Sequence, residues 1–368
     1  MGFKLYYVIS LIAALLSLQT SLSRAAVNGG YWLPDSGLEA SEIDSTLFTH
    51  LFCAFAGLNT ANNQLSISSE CSSFTQTVQK RCPSVKTLLS IGGGNVLSSD
   101  FNKMASQPAS RKTFITSSIN VARSNGFLGL DLDWEGESTS TEMTNLGTLL
   151  TEWRTAINAE AINTGRKPLL LTAALAVTPR LYLSNATFPT QAIAKTLDWV
   201  NVMAYDFYAP NNSPLFTHSH AALHDPTGAA SGSSGISAWI SAGVPPKQLV
   251  LGFPFYGYAW KLVNPNNHGI LAPANGTDTS VGAPPGTLIY SQIKEFIPQK
   301  KATVVFNSTY GTNYCYSGTT WINYDDTQTI AAKVSYVKTN NLLGYFAWHL
   351  AQDNNWALSK QASQTWRS

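Results

Sequence analysis

Three acidic side chains stand at alternate positions of an apolar run, GFLGLDLDWEGE, at residues 126–137. Because successive side chains of a β-strand point to opposite faces, Asp131, Asp133 and Glu135 share one face, about 7 Å apart at each step. Burying three neighbouring ionised carboxylates is so costly that at least one pKa must rise. A carboxyl group that keeps its proton near neutral pH is what a general acid requires. The spacing favours catalysis over the alternative that these acids cap a strand end or the next helix.

Short apolar runs alternate with helical segments along the chain, and these predicted strands and helices must hold the three acids in place. Alternating strands and helices predict parallel pairing, and eight strands predict a closed (β/α)8 TIM barrel of the α/β class, with Glu135 at the carboxyl end of its strand, where barrel active sites lie. The eight candidate strands are VNGGYW from Val27, HLFCAFAG from His50, KTLLSIGG from Lys86, GFLGLDLDW from Gly126, LLLTAALAV from Leu169, DWVNVMAYDFY from Asp198, QLVLGFPFYG from Gln248 and LLGYFAWHL from Leu342.

One helix and one long interval complete the domain prediction. Thr139 and Glu142 have capping-box spacing, apolar residues follow at helical intervals, and Gly165 is a plausible stop. The interval between strands seven and eight is too long to be a structureless loop and contains the β-like stretches TVVFNSTY and NYCYSG. We therefore predict a catalytic barrel over 26–260 and 327–368, with a small α+β insertion domain over 261–326 between strands 7 and 8.

The composition of the 368 residues limits location and partners. Residues 1–25 have a lone Lys4, an apolar core and small residues near Ala25, which is typical of a secretory signal peptide. We expect a secreted, extracellular, monomeric protein, with a vacuolar destination also open, and no membrane partner. A net charge of +2 with only 12% charged residues argues against a nucleic-acid partner. The ten tryptophans suit stacking on sugars, although most must belong to the core.

Four cysteines and several glycosylation sequons fit a secreted chain. We predict a disulfide between Cys71 and Cys82, which enclose a short segment. Cys53 lies in an apolar strand, where a buried free thiol is favoured; a bond from Cys53 to Cys315 is the alternative. No cysteine pair or histidine cluster has metal-ligand spacing, so we expect no metal and no cofactor. The acceptor sequons are at Asn185, Asn275 and Asn307, with a weaker one at Asn211 before Pro214.

The stretch LGLDLDWE resembles the strand-four signature of glycoside hydrolase family 18, which contains the chitinases. The resemblance to its plant class V members covers nearly the whole mature chain, through GGYW, HLFCAFAGLN, VKTLLSIGGGN, LDWVNVMAYDFY, LVLGFPFYGYAW and LLGYFAWHL. It implies a retaining, substrate-assisted mechanism that needs no protein nucleophile. In that mechanism Glu135 protonates the glycosidic oxygen while the acetamido oxygen of the −1 sugar attacks its own anomeric carbon.

The same resemblance implies roles for further residues. Asp133 would orient the acetamido N–H and share a proton with the more buried Asp131, and Tyr205 would donate its hydroxyl to the acetamido oxygen. Met203 and Asp206 would lie beside Tyr205, and Trp348 would form the floor of the −1 site. From the residues alone, core filling is an equal alternative for Met203 and Tyr205, and packing is one for Trp348. Tyr31 and Phe55 complete the substrate-binding candidates, with core filling the favoured interpretation.

Two sites depart from the family pattern, and the location of one histidine-rich segment is undecided from the sequence. Leu128 and the pair Gly136–Glu137 stand where many members have Asp and Tyr-Pro. Loss of an aromatic beside Glu135 would admit water and lower the pKa of that acid. The segment LFTHSHAALHDP carries three histidines. They either line the sugar cleft or lie in a solvated loop, and the loop is favoured.

The sequence therefore predicts a secreted endo-chitinase that cuts β-1,4 links between N-acetylglucosamine units in chitin or chito-oligosaccharides. A non-hydrolytic chitin-binding lectin or storage protein on the same barrel is the competing function, because a fold does not decide function. A hydrolase specialised for lipochito-oligosaccharide (Nod factor) signals is a third possibility. The intact pair of Asp133 and Glu135 favours hydrolysis.

Overall fold

Eight parallel strands close into a barrel in a computed structural model that describes residues 26–94, 96–136, 139–181 and 184–368. The predicted signal peptide lies outside the described residues. The strands follow the eight apolar runs, so the predicted (β/α)8 barrel is confirmed. They are β1 (Val27–Trp32), β2 (His50–Asn59), β4 (Lys86–Gly92), β5 (Gly129–Asp133), β6 (Leu170–Ala176), β7 (Trp199–Met203), β8 (Leu249–Pro254) and β15 (Gly344–Trp348), with β3 (Gln64–Ser66) forming a hairpin with β2.

The barrel is closed by pairing between its first and last strands. Each barrel strand pairs in parallel with its neighbours in the order β1, β15, β8, β7, β6, β5, β4, β2, and β2 pairs again with β1. In this register Asp131 lies between Ser90 of β4 and Thr172 of β6. The neighbours of the acid row are therefore small polar side chains, and these can bond to a carboxylate.

Most helices cover the outside of the barrel and pack apolar faces against its strands, and one, over Tyr290–Lys300, packs on the insertion sheet. The described helices are α1 (Ser69–Gln79), α2 (Ser98–Ser106), α3 (Pro108–Ser124), α4 (Ser140–Thr164), α5 (Thr190–Thr196), α6 (Gly232–Ser241), α7 (Tyr290–Lys300), α8 (Thr327–Thr339) and α9 (Ala357–Arg367). The capping box at the start of α4 is confirmed, because Thr139 and Glu142 bond reciprocally, and the helix ends at Gly165 in the left-handed conformation. Within the described residues, no helix is long and apolar enough to cross a membrane.

A second, antiparallel sheet forms the insertion between the seventh and eighth barrel strands. Its strands are β9 (Tyr256–Leu262), β10 (Ala274–Thr277), β11 (Thr287–Ile289), β12 (Thr303–Asn307), β13 (Thr312–Ser317) and β14 (Thr320–Tyr324). The sheet starts at Tyr256, and only Phe255 separates it from the end of β8 at Pro254. The run QLVLGFPFYG therefore holds the end of the barrel strand and the start of this sheet, which brings Tyr256 and Tyr258 to the rim of the barrel.

The disulfide prediction is wrong. The bond joins Cys53 of β2 to Cys71 of α1, with their Cα atoms 5.8 Å apart. Cys82 and Cys315 are free, and Cys315 is buried. The short segment between Cys71 and Cys82 suggested their pairing, but α1 carries Cys71 against the barrel wall, where Cys53 points outward between strand and helix. The bond therefore fastens the first helix to the barrel, and neither a free Cys53 nor a Cys53–Cys315 bond occurs.

Candidate active site

The acid row leaves the barrel at the carboxyl end of β5 and runs from the interior to the open groove. Asp131 is fully buried, Asp133 is 3% exposed and Glu135 is exposed. The strand ends at Asp133, so Glu135 lies two residues beyond it rather than at its last position. Trp134 points the other way: its Nε1 donates to Ser98 Oγ at 2.8 Å and its ring stacks on Phe101.

Asp131 is the most fully hydrogen-bonded of the three acids. Its Oδ2 accepts from Tyr31 Oη at 2.8 Å and from Ser90 Oγ at 2.7 Å. Its Oδ1 accepts from Thr172 Oγ1 at 2.5 Å and from Asn201 Nδ2 at 3.4 Å. Burial raises the pKa of Asp131, and these four hydrogen bonds act against that rise. Asp131 is therefore held in one position at the base of the site.

Asp133 has the opposite environment. Its Oδ1 is buried and has no hydrogen-bond partner among the described residues. Burial, followed by the charges of Glu135 and Asp131, raises the pKa of Asp133 well above its ordinary value. The charges of its two neighbours thus disfavour ionisation of Asp133, and its unpartnered Oδ1 atom can accept a new hydrogen bond.

Glu135 combines access from the groove with a carboxyl group that favours its protonated form. Desolvation by the surrounding protein, followed by the negative charge of Asp206, raises the pKa of Glu135. A carboxylic acid that is open to a ligand and holds its proton can donate it to a leaving oxygen. This is the requirement of a general acid, met at the last residue of the row.

A cavity of about 410 Å³ opens above the row and contains most of the predicted site residues. Trp348, at the end of β15, forms part of its wall and meets the ring of Tyr31 edge-on, with ring centroids 5.4 Å apart. Burial, followed by the charge of Asp133, raises the pKa of the Tyr205 hydroxyl well above its ordinary value, so Tyr205 is a neutral hydrogen-bond donor. The cavity is lined by Tyr31, Asp133, Glu135, Ala174, Ala176, Val177, Met203, Tyr205, Asp206, Phe207, Ala230 and Trp348.

Phe55 lies beside this cavity rather than in its lining. Its ring is 5.7 Å from that of Trp348, and it lines a neighbouring cavity of about 670 Å³. Gly92 at the end of β4 has φ +111°, and a Cβ there would lie 2.2 Å from the carbonyl oxygen of Asp133. Only glycine permits this approach. The SIGGG turn therefore brings backbone against backbone beside the acid row.

Asp206 forms a second polar cluster on the other side of the cavity. It has a left-handed backbone with φ +60°, and its Oδ1 accepts from Tyr256 Oη at 2.6 Å and from Tyr258 Oη at 2.9 Å. His220 Nδ1 lies 3.7 Å from the same oxygen. Desolvation acts to raise the pKa of Asp206, but His220 and the two tyrosines outweigh it, and the pKa is lowered. Asp206 is therefore an anion that faces a row of acids whose pKa values are raised.

Comparison with known proteins assigns this arrangement to a family. The model for "Glycosyl hydrolases family 18" matches residues 28–353. The chain belongs to glycoside hydrolase family 18. It is 53% identical to the class V chitinase of Arabidopsis thaliana, over 99% of this chain and 96% of that protein.

Two solved structures share the fold of this chain. A mutant of class V chitinase from Nicotiana tobaccum in complex with NAG4 is 58% identical with a TM-score of 0.90, covering 93% of this chain and 99% of that chain. The chitinase-like agglutinin of Robinia pseudoacacia is 48% identical with a TM-score of 0.86, covering 93% of this chain and 100% of that one.

Several residues of this family 18 site were not singled out from the sequence. Ser90, Thr172 and Asn201 hold Asp131, and each is a polar residue inside an otherwise apolar strand. That interruption, repeated in strands next to the acid row, was a usable signal. Tyr256 and Tyr258 had no such signal, because they reach Asp206 only after the insertion sheet folds back on the barrel.

The three histidines separate into different environments. His220 is fully buried beside Asp206, so the solvated-loop interpretation is wrong for it. His218 is half-buried and stacks on Tyr208, with ring centroids 4.1 Å apart. His224 is exposed and bonds to Ser233. None of the described residues forms a group of three or more potential metal ligands.

The backbone conformation at residue 136 of this family 18 member favours glycine. Its φ is +106°, and a Cβ there would lie 3.1 Å from Cβ of Ser98. A side chain at this position would strain the turn that follows Glu135. The expected effect of Gly136 on turnover stays a prediction, while the pKa of Glu135 is raised with Gly136 in place.

Proposed function

We propose that this chain is an endo-chitinase that hydrolyses β-1,4 links between N-acetylglucosamine units with retention of configuration. One observation carries the proposal: Glu135 opens to a 410 Å³ cavity with a raised pKa, and the carboxyl beside it, Asp133, has a free buried oxygen. The first group can give a proton to a leaving oxygen, and the second can accept a new hydrogen bond from substrate. A binding protein needs neither property.

In the first step Glu135 gives its proton to the glycosidic oxygen, and the bond between that oxygen and the anomeric carbon breaks. The acetamido oxygen of the −1 sugar supplies the electron pair that forms the new bond, which produces a cyclic oxazolinium ion. In the second step the Glu135 carboxylate takes a proton from water as the water oxygen attacks the anomeric carbon, and the bond between that carbon and the acetamido oxygen breaks to restore the acetamido group. Two displacements at one carbon leave the product in the β configuration.

Asp133 and Tyr205 act on the acetamido group in this scheme. Asp133 turns its free oxygen toward the acetamido N–H and carries the negative charge that stabilises the oxazolinium ion. Asp131, fixed by four hydrogen bonds, takes up the proton that Asp133 releases. Tyr205 donates to the acetamido oxygen, and Trp348 packs under the apolar face of the −1 sugar.

The competing function is sugar binding without hydrolysis, and similarity to the Robinia pseudoacacia agglutinin is the observation in its favour. Against it stand the acid row of this chain and its similarity to a class V chitinase whose structure holds NAG4. Preference for lipid-modified oligomers would depend on groove loops rather than on the acid row. It is a finer form of the same proposal.

The test is product analysis with N-acetylglucosamine tetramer to hexamer. The unmodified protein is expected to release shorter oligomers whose new reducing ends are initially β. Glu135→Gln is expected to bind the hexamer and not cut it, because glutamine has no proton to give. Glu295→Gln, which changes an exposed glutamate of α7, is the matched control and should keep full activity. Equal inertness of unmodified protein and Glu135→Gln would favour the lectin.

Secretion to the extracellular space, with the vacuole as the alternative, is part of this proposal, as is the monomeric state. The Cys53–Cys71 bond supports passage through an oxidising compartment, because disulfides rarely persist in the cytosol. Exposure of Asn185 and Asn275 supports glycosylation at those sequons. Enzymatic removal of N-glycans from protein secreted by plant cells should lower its mass, and an unchanged mass would oppose glycosylation.

A further inference from the structure

His220 is held rigidly beside Asp206 by its own backbone. Its N–H donates to Asn323 Oδ1 at 2.8 Å, which ties it to strand β14 of the insertion sheet. Its carbonyl oxygen accepts from the N–H of Phe207 at 3.0 Å, the residue that follows Asp206. The imidazole packs against the rings of Tyr256 and Tyr258, at centroid distances of 5.2 and 5.0 Å. The ring therefore cannot turn far from Asp206.

Both ring nitrogens of His220 are buried and have no hydrogen-bond partner among the described residues. Oδ1 of Asp325, which follows β14, is also buried and unpartnered in this part of the chain. A buried polar atom without a partner is destabilising, so three in one region point to hydrogen bonds that form with a small adjustment. Asp206 Oδ1, 3.7 Å from Nδ1, is one acceptor within such an adjustment.

The charges around the ring point to the same arrangement. Lys333 of α8 is buried, and its Nζ donates to Asp325 Oδ2 at 2.5 Å and to the Ala221 carbonyl at 2.6 Å. That pair has no net charge, so Lys333 is engaged by Asp325, and the basic atom that lies within 4 Å of Asp206 in the described ranges is His220 Nδ1. The flanking Tyr256 and Tyr258 are neutral donors.

We propose that His220 is a positioning residue that donates its Nδ1–H to Asp206 and so holds the Asp206 carboxylate beside Glu135. Through this bridge the insertion sheet acts on the environment of the catalytic acid. The role in catalysis rests on the proposed function. The hydrogen bond between His220 and Asp206 does not.

The first test is the pH profile of kcat/KM for His220→Phe, which keeps an aromatic ring and removes both nitrogens. Without the His220 donor the Asp206 carboxylate is no longer held beside Glu135, and its charge raises the pKa of Glu135 less. The alkaline limb, which follows the proton on Glu135, should therefore move to lower pH by about half a unit, in the same direction as for Asp206→Asn. His218→Phe removes an imidazole two residues away and should leave the profile unchanged. In an Asp206→Asn background the additional His220→Phe change should have no effect on the limb. An unshifted limb in a folded His220→Phe protein would overturn the proposal.

The second test needs neither a variant nor activity. In the unmodified protein labelled with ¹⁵N-histidine, the His220 ring is identified by its proximity to the protons of the Tyr256 and Tyr258 rings. A slowly exchanging N–H on Nδ1 is expected, and an Nδ1 atom without a proton would reject the hydrogen bond to Asp206. An inert protein with a protonated Nδ1 would reject the proposed function and leave the bridge intact.

Discussion

Asp133 and Asp206 line one cavity and differ in the partners that each carboxyl group finds. Asp133, from the barrel, has a buried oxygen without a partner in the described chain, and its pKa is raised well above the ordinary value. Asp206 receives two tyrosine hydroxyls from the insertion sheet, and its pKa is lowered. The barrel strand thus carries an acid whose environment favours the protonated form, while the insertion sheet favours the ionised form of Asp206. The charge of Asp206 in turn raises the pKa of Glu135.

The largest expected effect is the loss of activity on replacing Asp133. Asp133→Asn removes the carboxylate that stabilises the oxazolinium ion, so kcat should fall by about 10²- to 10³-fold, as with loss of other preorganised electrostatic groups. Initial rates on the hexamer measure kcat, and isothermal titration measures binding, which should persist. Glu295→Gln again serves as the control. A loss below tenfold would mean that Asp133 does not act on the reacting sugar.

Asp206→Asn should have a smaller effect and a recognisable pH signature. Because the charge of Asp206 raises the pKa of Glu135, its removal lowers that pKa. Glu135 must hold its proton to act, so the alkaline limb of kcat/KM should move to lower pH, and activity at neutral pH should fall by about tenfold, corresponding to roughly one pKa unit. Asp225→Asn, on the loop after His220, is the control. A shift to higher pH would contradict the assignment of Glu135 as the acid.

Stability should change in opposite directions for the same two substitutions. Folding raises the pKa of Asp133, so its contribution is favourable below the unfolded-state pKa and is lost as pH rises through the folded-state pKa. Asp133→Asn should therefore raise Tm at pH 7 by about 2 °C, an effect on the order of 1 kcal/mol, and change it little at pH 3.

The contribution of Asp206 to stability depends on pH in the opposite direction. Folding lowers its pKa, so its stabilisation is present above the unfolded-state pKa and is lost as pH falls through the folded-state pKa. Asp206→Asn should lower Tm at pH 7, by less than the Asp133 effect because half of its side chain is exposed. Calorimetry at both pH values tests the pair, and changes of the same sign would remove the distinction between the two carboxyls.

The smallest expected effect comes from Tyr258→Phe, which removes one of the two tyrosine hydrogen bonds to Asp206. The pKa of Asp206 should rise, since a bond to its charged form is lost. We expect a two- to threefold fall in kcat/KM at acidic pH, on the order of half a kcal/mol for an exposed hydrogen bond. Tyr310→Phe, a tyrosine with no bond to Asp206, is the comparison. Equal losses in both variants would indicate a general effect of removing a hydroxyl.

The sequence predicted the barrel side of the site better than the insertion side. Alternation in β5 placed Asp131 and Asp133 correctly, because the period of a strand fixes which side chains share a face. The contacts of Asp206 with Tyr256, Tyr258 and His220 join segments up to 52 residues apart through the docking of a second sheet. No local period encodes that docking.

The prediction of the disulfide partners failed for a similar reason. Proximity in sequence favoured Cys71 with Cys82, whereas the distance that decides a bond is set by how α1 packs on β2. The strand HLFCAFAG indicated burial of Cys53 correctly and gave no sign of its partner. Contacts between elements, rather than elements themselves, were what the sequence left undetermined.

The parallel pairing of Val27–Gly30 with Gly344–Ala347 has a consequence for how the chain is made. β1 can pair with β2 early, but its other edge stays open until the ribosome delivers the last strand, so the emerging barrel has two open edges for almost the whole of translation. Open strand edges invite association with other chains. We expect that truncation before Gly344 yields aggregates rather than a weakened soluble fold, which size-exclusion chromatography would show, and that chaperones bind the nascent chain longest at these two edges.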